Sequence, residues 1–207
     1  DGDAATIEDW LKVFEDTTGR DLTQFKRWYS QAGTPRLDVE ESFDLDTLTL
    51  TFTQHTPPTA VTPAPEPLII PIALGLITPS GDEVLSTQIL EMTKATQSFR
   101  FTGLDARPVA SILRGFSAPV VLNHNLSDAD RGHLLAHDTD PFNRWESGRT
   151  LARKSLLSMI RDGAAPDQAY LKGIHTVAAD DTLDPASRAL MLGLPSQSDL
   201  ATVLNEA

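Results

Sequence analysis

The feature that most constrains this chain is a change of hydrophobic period between residues 25 and 37. Up to that point, Phe25, Trp28 and Tyr29 recur at i, i+3 and i+4, the spacing of one helix face. Gly33 is placed for a left-handed helix cap, and Pro35 forbids the helix to continue. Beyond it, Leu37, Val39 and Phe43 alternate with Asp38, Glu40 and Ser42; then Leu48, Leu50 and Phe52 alternate with Thr47, Thr49, Thr51 and Thr53. A period of two with one apolar face is a strand signal, so residues 37–53 predict a hairpin turning at Asp44-Leu45-Asp46. Helices end and a sheet begins at this joint.

On the helical side, Thr6 is an N-cap with Asp9 three residues on, and Ile7, Trp10, Leu11 and Phe14 share one face before Gly19. Asp21, with Gln24 at the capping-box position, starts a second helix that runs into the joint. Two short helices with one aromatic-rich face each cannot enclose a core alone. They read as the tail of a larger domain.

On the sheet side, residues 55–67 carry five prolines and form a connection, not a strand or a polyproline ligand. Leu68 to Ile77 is apolar at almost every position, which predicts a central strand buried on both faces, followed by a turn at Pro79-Ser80-Gly81-Asp82. Val84 to Met92, Gln97 to Phe101, Pro108 to Leu113 and Pro119 to Asn123 add further short strands. Some seven strands without helical period predict an antiparallel sandwich.

After His124 the helical period returns. Ser127 caps a helix containing Leu134 and Leu135, and Asp140-Pro141 starts one carrying Phe142, Trp145, Leu156 and Ile160 up to Gly163. Asp184-Pro185 repeats the start signal ahead of Leu190, Met191 and Leu194, and Ser198 begins a last helix with Leu200, Val203 and Leu204. The apolar residues persist to the end, which predicts an exposed apolar face there. The fold class is thus α+β in three parts: residues 1–35 helical, 36–123 a sandwich, 124–207 helical hairpins.

Composition narrows the function. The 207 residues include 17 basic and 29 acidic side chains, a formal charge of −12, which repels nucleic acid and anionic lipid. The longest apolar run is too short to span a bilayer and contains Pro71, and the acidic opening residues lack the basic and apolar regions of a signal peptide. The absence of cysteine excludes disulfides and thiolate metal sites and fits a reducing, cytoplasmic setting. No G-x-S-x-G elbow, P-loop or G-x-G-x-x-G occurs. The pairs Glu40-Glu41 and Asp180-Asp181 are adjacent residues that diverge in either regular structure, so they read as solvated charge.

Four blocks carry a family resemblance. Asp21 to Pro35 (DLTQFKRWYSQAGTP) resembles the segment closing the catalytic domain of bacterial aminopeptidase N, the zinc-dependent alanyl aminopeptidases, and Asp1 to Asp9 resembles the stretch before it. Gly115-Phe116-Ser117-Ala118-Pro119-Val120 and His137-Asp138 with Phe142-Asn143-Arg144-Trp145-Glu146 match further along, while beyond about Leu157 the similarity thins. The resemblance implies the end of a catalytic domain, an immunoglobulin-like β-domain, and the start of an ARM/HEAT-like helical-repeat domain. It also implies a parent enzyme that uses zinc to remove N-terminal residues from peptides.

The zinc motifs of that family, two histidines one helical turn apart with an adjacent glutamate and a G-A-M-E-N segment, are not in this chain. His133 and His137 are spaced i, i+4, but Leu134 stands where the general base would be, so hydrolytic zinc chemistry fails there. Arg144 and Trp145 read as a salt-bridged arginine and a packed tryptophan at a domain joint. No catalytic, cofactor or metal residue is therefore assigned. Two readings follow. In the first, the chain is a non-catalytic, inactive scaffold of a zinc aminopeptidase, packing on missing catalytic and helical domains, with zinc and peptide substrate belonging to the parent alone. In the second it is a stand-alone sandwich-plus-helix interaction module without enzymatic activity. Its start at Asp1, without methionine and inside a helix-start signal, favours the first.

Overall fold

The computed structural model describes residues 4–205. Asp1, Gly2 and Asp3, the opening of the first matching block, lie outside the described residues, as does the side chain of Val203. The first helix, α1 (Ile7–Thr18), forms where its caps dictate. Thr6 Oγ1 accepts the Asp9 N–H (3.2 Å) while Asp9 Oδ2 accepts the Thr6 N–H (2.8 Å), and Gly19 ends the helix in the left-handed region. Of its apolar face only Leu11 is buried; Ile7, Trp10 and Phe14 remain exposed, the two rings edge to face at 4.6 Å.

The second helix differs from the expectation. Asp21 Oδ1 accepts the Thr23 N–H (2.8 Å), turns follow, and α2 comprises only Arg27–Ser30. The reason is that Gln24 is spent elsewhere: its Nε2 donates to the carbonyls of Pro67 (3.1 Å) and Thr93 (2.7 Å) and cannot return to a cap. Nor does Gly33 cap the helix. Gln31, in extended backbone, is the C-cap, and Gly33 at φ 109° lets the chain pass Thr56. Trp28 does dock as the aromatic spacing predicts, packing on the sandwich core with its Nε1–H donated to the Ile69 carbonyl at 2.8 Å.

The sandwich holds all seven expected strands: β1 (Arg36–Asp44), β2 (Thr47–His55), β3 (Ile70–Ile77), β4 (Glu83–Met92), β5 (Thr96–Phe101), β6 (Val109–Ile112) and β7 (Val121–His124). One sheet runs β5-β2-β1-β7 and the other β4-β3-β6. All pairs are antiparallel except β1 with β7, which is parallel, since the chain crosses the other strands before returning to that edge. In the hairpin Val39 faces Phe52, and Leu45, exposed at φ 54°, forms the two-residue turn with Asp46. Between the sheets Leu37, Leu48, Leu50 and Phe52 meet Ile70, Ile72, Leu74, Leu76 and Met92, all fully buried. β3 is buried on its other face too, where Ile77 packs with Val109 and Leu134 of the helical part.

Five helices follow: α3 (Asp128–His137), α4 (Pro141–Asp162), α5 (Gln168–Ala179), α6 (Pro185–Leu192) and α7 (Gln197–Asn205). Ser127, Asp140, Asp167 and Asp184 cap the first four. Ser196, not Ser198, accepts the Asp199 N–H at the start of α7. Periodicity alone assigns no helix to α5, although Asp167 is a normal N-cap and Tyr170, Ile174 and Val177 form its inner stripe. The inner face of α4 also differs from the expected one. Arg144, Ser147, Gly148, Leu151, Ala152 and Ser155 are buried, whereas Phe142, Trp145 and Leu156 are half-buried and Ile160 is exposed. Small residues win this face because Leu135 sits against Gly148 and Gly173, where an added Cβ would meet its methyl carbons at 2.7 and 2.6 Å. Leu190, Leu192, Leu194 and Leu204 are exposed, and Leu194 lies past the end of α6. No helix among the described residues is long and apolar enough to cross a membrane.

The burial pattern fixes the register of the hairpin. Leu50→Ala or Phe52→Ala should destabilise the chain by about 2–5 kcal/mol. Thr49→Ala, on the opposite face, should cost under about 0.5 kcal/mol. Urea denaturation measures both, and equal losses would contradict this assignment of the two faces.

Candidate functional site

The groups that carry most polar chemistry lie where the sandwich meets the helices. β6 ends at Ile112, and the chain then turns sharply through Leu113 (φ 60°), Arg114, Gly115 (φ 60°) and Phe116 (φ 56°). Two non-glycine residues in the left-handed region cost of order 1–3 kcal/mol each, so packing must hold them there. What they position is Arg114, 3% exposed. Its Nε donates to Ser111 Oγ (2.9 Å), Nη1 to Thr87 Oγ1 (2.8 Å) and to Glu83 Oε1, and Nη2 to Asp138 Oδ1 (2.9 Å). One guanidinium thus ties β4, β6 and the end of α3 together. It lies directly over β3, where a Cβ on Gly75 would fall 2.1 Å from Arg114 Cζ.

The neighbours extend this network. Thr139 Oγ1 donates to Glu83 Oε1 (2.7 Å); Asp140 accepts the Gly115 N–H on Oδ2 (3.0 Å) and caps α4 at the Asn143 N–H with Oδ1 (2.8 Å). Asn143 Nδ2 returns to Ser111 Oγ (2.8 Å) and to the Ile112 carbonyl (2.9 Å). Burial pushes the Asp138 carboxyl above its ordinary range, against the pull of Ser111, the Asp140 N–H and the Arg114 charge; its Oδ2 is the one buried side-chain polar atom without a hydrogen-bond partner among the described residues. Burial also pushes Glu83 up, but the bonds from Arg114 and Thr139 and the Arg114 charge outweigh it and leave this carboxyl low.

Arg144 works one layer further out. It donates to the carbonyls of Leu135 and Ala136 (both 2.8 Å), which the end of α3 leaves unpaired, and to Asp180 Oδ2 (3.3 Å). Trp145 packs beside it, between Phe142 and the Arg149 guanidinium, which lies 5.1 Å from the Trp145 ring.

The comparisons fall on both halves of this joint. Residues 33–125 match a domain of unknown function (DUF3458) described as having an Ig-like fold, and residues 128–207 match its C-terminal companion, described as ARM repeats. Aminopeptidase N of Caulobacter vibrioides is 43% identical over all of this chain and 24% of its own length. That of Escherichia coli K12 is 34% identical over 99% of the chain and 25% of its own length. The chain belongs to the aminopeptidase N family. It spans about a quarter of the length of these relatives, and the similarity continues past Leu157 to the chain's end. Legionella pneumophila aminopeptidase A, solved with aspartic acid, matches 98% of the chain and 23% of its own length at 27% identity and a TM-score of 0.83.

Aminopeptidase N relatives raise the question of a metal. His133 and His137 do share a helix face, their rings 4.7 Å apart, but His133 Nε2 is engaged with the Thr78 carbonyl at 2.7 Å. No group of three or more His, Cys, Asp or Glu among the described residues is arranged to hold a metal ion, so this donor set does not fit zinc. The network at Arg114 holds parts together; every donor in it faces a fixed acceptor. Arg114 itself is not marked by sequence spacing. The one available signal is Gly75, a glycine inside an apolar strand, which indicates close approach by another group.

Arg114→Met strands a buried carboxylate and should cost about 3–5 kcal/mol in chemical denaturation. Adding Asp138→Leu should recover part of that loss. His137 provides a pH test. Burial, then the charges of His133 and Arg144, lower its pKa despite Asp82. Its neutral form is favoured in the folded state, so its contribution is full above about pH 6.5 and lost as pH falls through the depressed folded value. Urea midpoints at pH 8 and pH 5.5 should differ less in His137→Gln than in the unmodified chain.

Proposed function

We propose that this chain is a non-catalytic scaffold within a zinc-dependent aminopeptidase. In that reading residues 1–35 close the catalytic domain, 36–123 form the sandwich behind it, and 124–207 open the helical domain that walls the substrate chamber. Removal of N-terminal residues from peptides, and the zinc that supports it, belong to parts of the enzyme other than these residues. A cytoplasmic setting is part of the proposal, supported by the cysteine-free composition.

The observation that carries the reading is α1. Its caps are complete, yet Ile7, Trp10, Val13 and Phe14 are exposed, with Trp10 at 50%. A fully capped helix with an uncovered aromatic face marks a packing surface for another body. The matched relatives contain about three further chain lengths to supply it. The Arg114 network supports the same role, because a scaffold must fix the angle between its two halves.

After dialysis the chain should retain no stoichiometric zinc and hydrolyse no alanyl anilide. One equivalent of tightly held metal, or turnover that disappears in His133→Ala, would overturn the reading. Trp10→Asp with Phe14→Asp should leave the melting temperature of this chain nearly unchanged, but lower that of a full-length aminopeptidase N carrying this segment. Equal destabilisation of both would assign the stripe to the chain's own core.

A further inference from the structure

A second feature of the joint is a cleft between the sandwich and the helices. β6 and β7 of the sandwich and the facing sides of α3 and α4 enclose a cleft of about 460 Å³, within the range of small-molecule sites and at the kind of inter-domain position where they concentrate. One part of its wall is apolar, formed by residues such as Ile112, Val120, Leu122, Leu134 and Phe142. Phe116, 68% exposed, also lines it, its ring tilted at 43° against Phe142 with centroids 3.9 Å apart and its backbone left-handed.

The polar groups of the cleft are unevenly charged. Arg131 and Arg153 both line it, and neither forms an ion pair among the described residues, although the chain carries a formal charge of −12. Arg131 spends one N–H on the His124 carbonyl (3.2 Å), and Arg153 reaches no carboxylate, contributing to the field at Asp199 only from a distance. Glu146 is the single carboxylate of the lining; Asn143, Thr150 and His124 are its neutral or titratable neighbours. An apolar wall with two guanidiniums outside any ion pair among the described residues matches a ligand that has an apolar body and one negative group.

We propose that this cleft binds a small carboxylate with an apolar body, of the size of 3-phenylpropanoate, its ring against Phe116 and Phe142 and its carboxylate on Arg153 and Arg131. No bond is made or broken. Titration of the isotopically labelled chain with 3-phenylpropanoate, followed by amide resonances, should give saturable shifts at Ala110, Leu122 and Ser147. Arg153→Gln, at an exposed position, should fold with an unchanged melting temperature and weaken binding about tenfold, the loss of one charge-assisted bond. Glu146→Gln should shift the affinity the other way. 2-Phenylethylamine, with the same ring and the opposite charge, should not saturate. Absence of saturable shifts at these residues, equal binding of the amine, or an Arg153→Gln dissociation constant equal to that of the unmodified chain would each overturn the proposal.

Discussion

A guanidinium taken out of water carries a desolvation cost of several kcal/mol, and the structure around Arg114 is arranged to offset it. Its acceptors come from β4, β6 and the end of α3, so none of these elements can shift without leaving a buried charge unmatched. Apolar contact alone would tolerate sliding, because it has no direction. The ion pair between Arg114 and Asp138 converts an apolar contact between a sheet and a helix hairpin into a joint with one geometry. Gly75 makes room for it and the left-handed turn from Leu113 to Phe116 aims it.

The consequences spread in both directions. Beneath the arginine, β3 must be apolar on its sandwich face and small where the guanidinium lies, which explains a strand buried along nearly its whole length that still contains a glycine. Beyond it, Asp138 and Asp140 end α3 and start α4 within three residues, and Asp140 also holds the Gly115 amide. Arg144 then covers the carbonyls that α3 leaves open. Among the described residues the buried apolar side chains fall into three clusters, one between the sheets, one within the helices and a small one of Ile77, Val109 and Leu134 where the two meet; like that last cluster, this chain of polar contacts joins β6 to α3.

The uncovered surfaces follow a different logic. The α1 stripe and the leucines of the last helices are exposed although each helix is properly started. Local signals such as caps and glycines act over one turn and report nothing about what lies against the helix. A periodic apolar face tells which side wants burial, and only packing tells whether it is achieved. In α1 that difference separates Leu11, fully covered, from Trp10 beside it, half exposed.

How much could be read beforehand depended on the range of the forces involved. The alternation of Leu48, Leu50 and Phe52 against threonines, the proline-rich connection, the Thr6–Asp9 capping box and the Asp140-Pro141 start are local patterns, and each appears in the structure where the spacing places it. The family blocks at Gly115 to Val120 and at His137-Asp138 marked the joint without revealing its chemistry. What failed was decided at long range. Gln24 could cap a helix but reaches Pro67 and Thr93 instead; Gly33 could end one but serves a close passage by Thr56; the inner face of α4 went to small residues because Leu135 had to fit. Sequence alone therefore determined the order and type of most elements, which depend on neighbours within a few residues. Tertiary structure alone decided that Arg114 is buried and which four side chains share it, because those partners lie 3 to 31 residues away along the chain and meet only once the sheets and helices have packed.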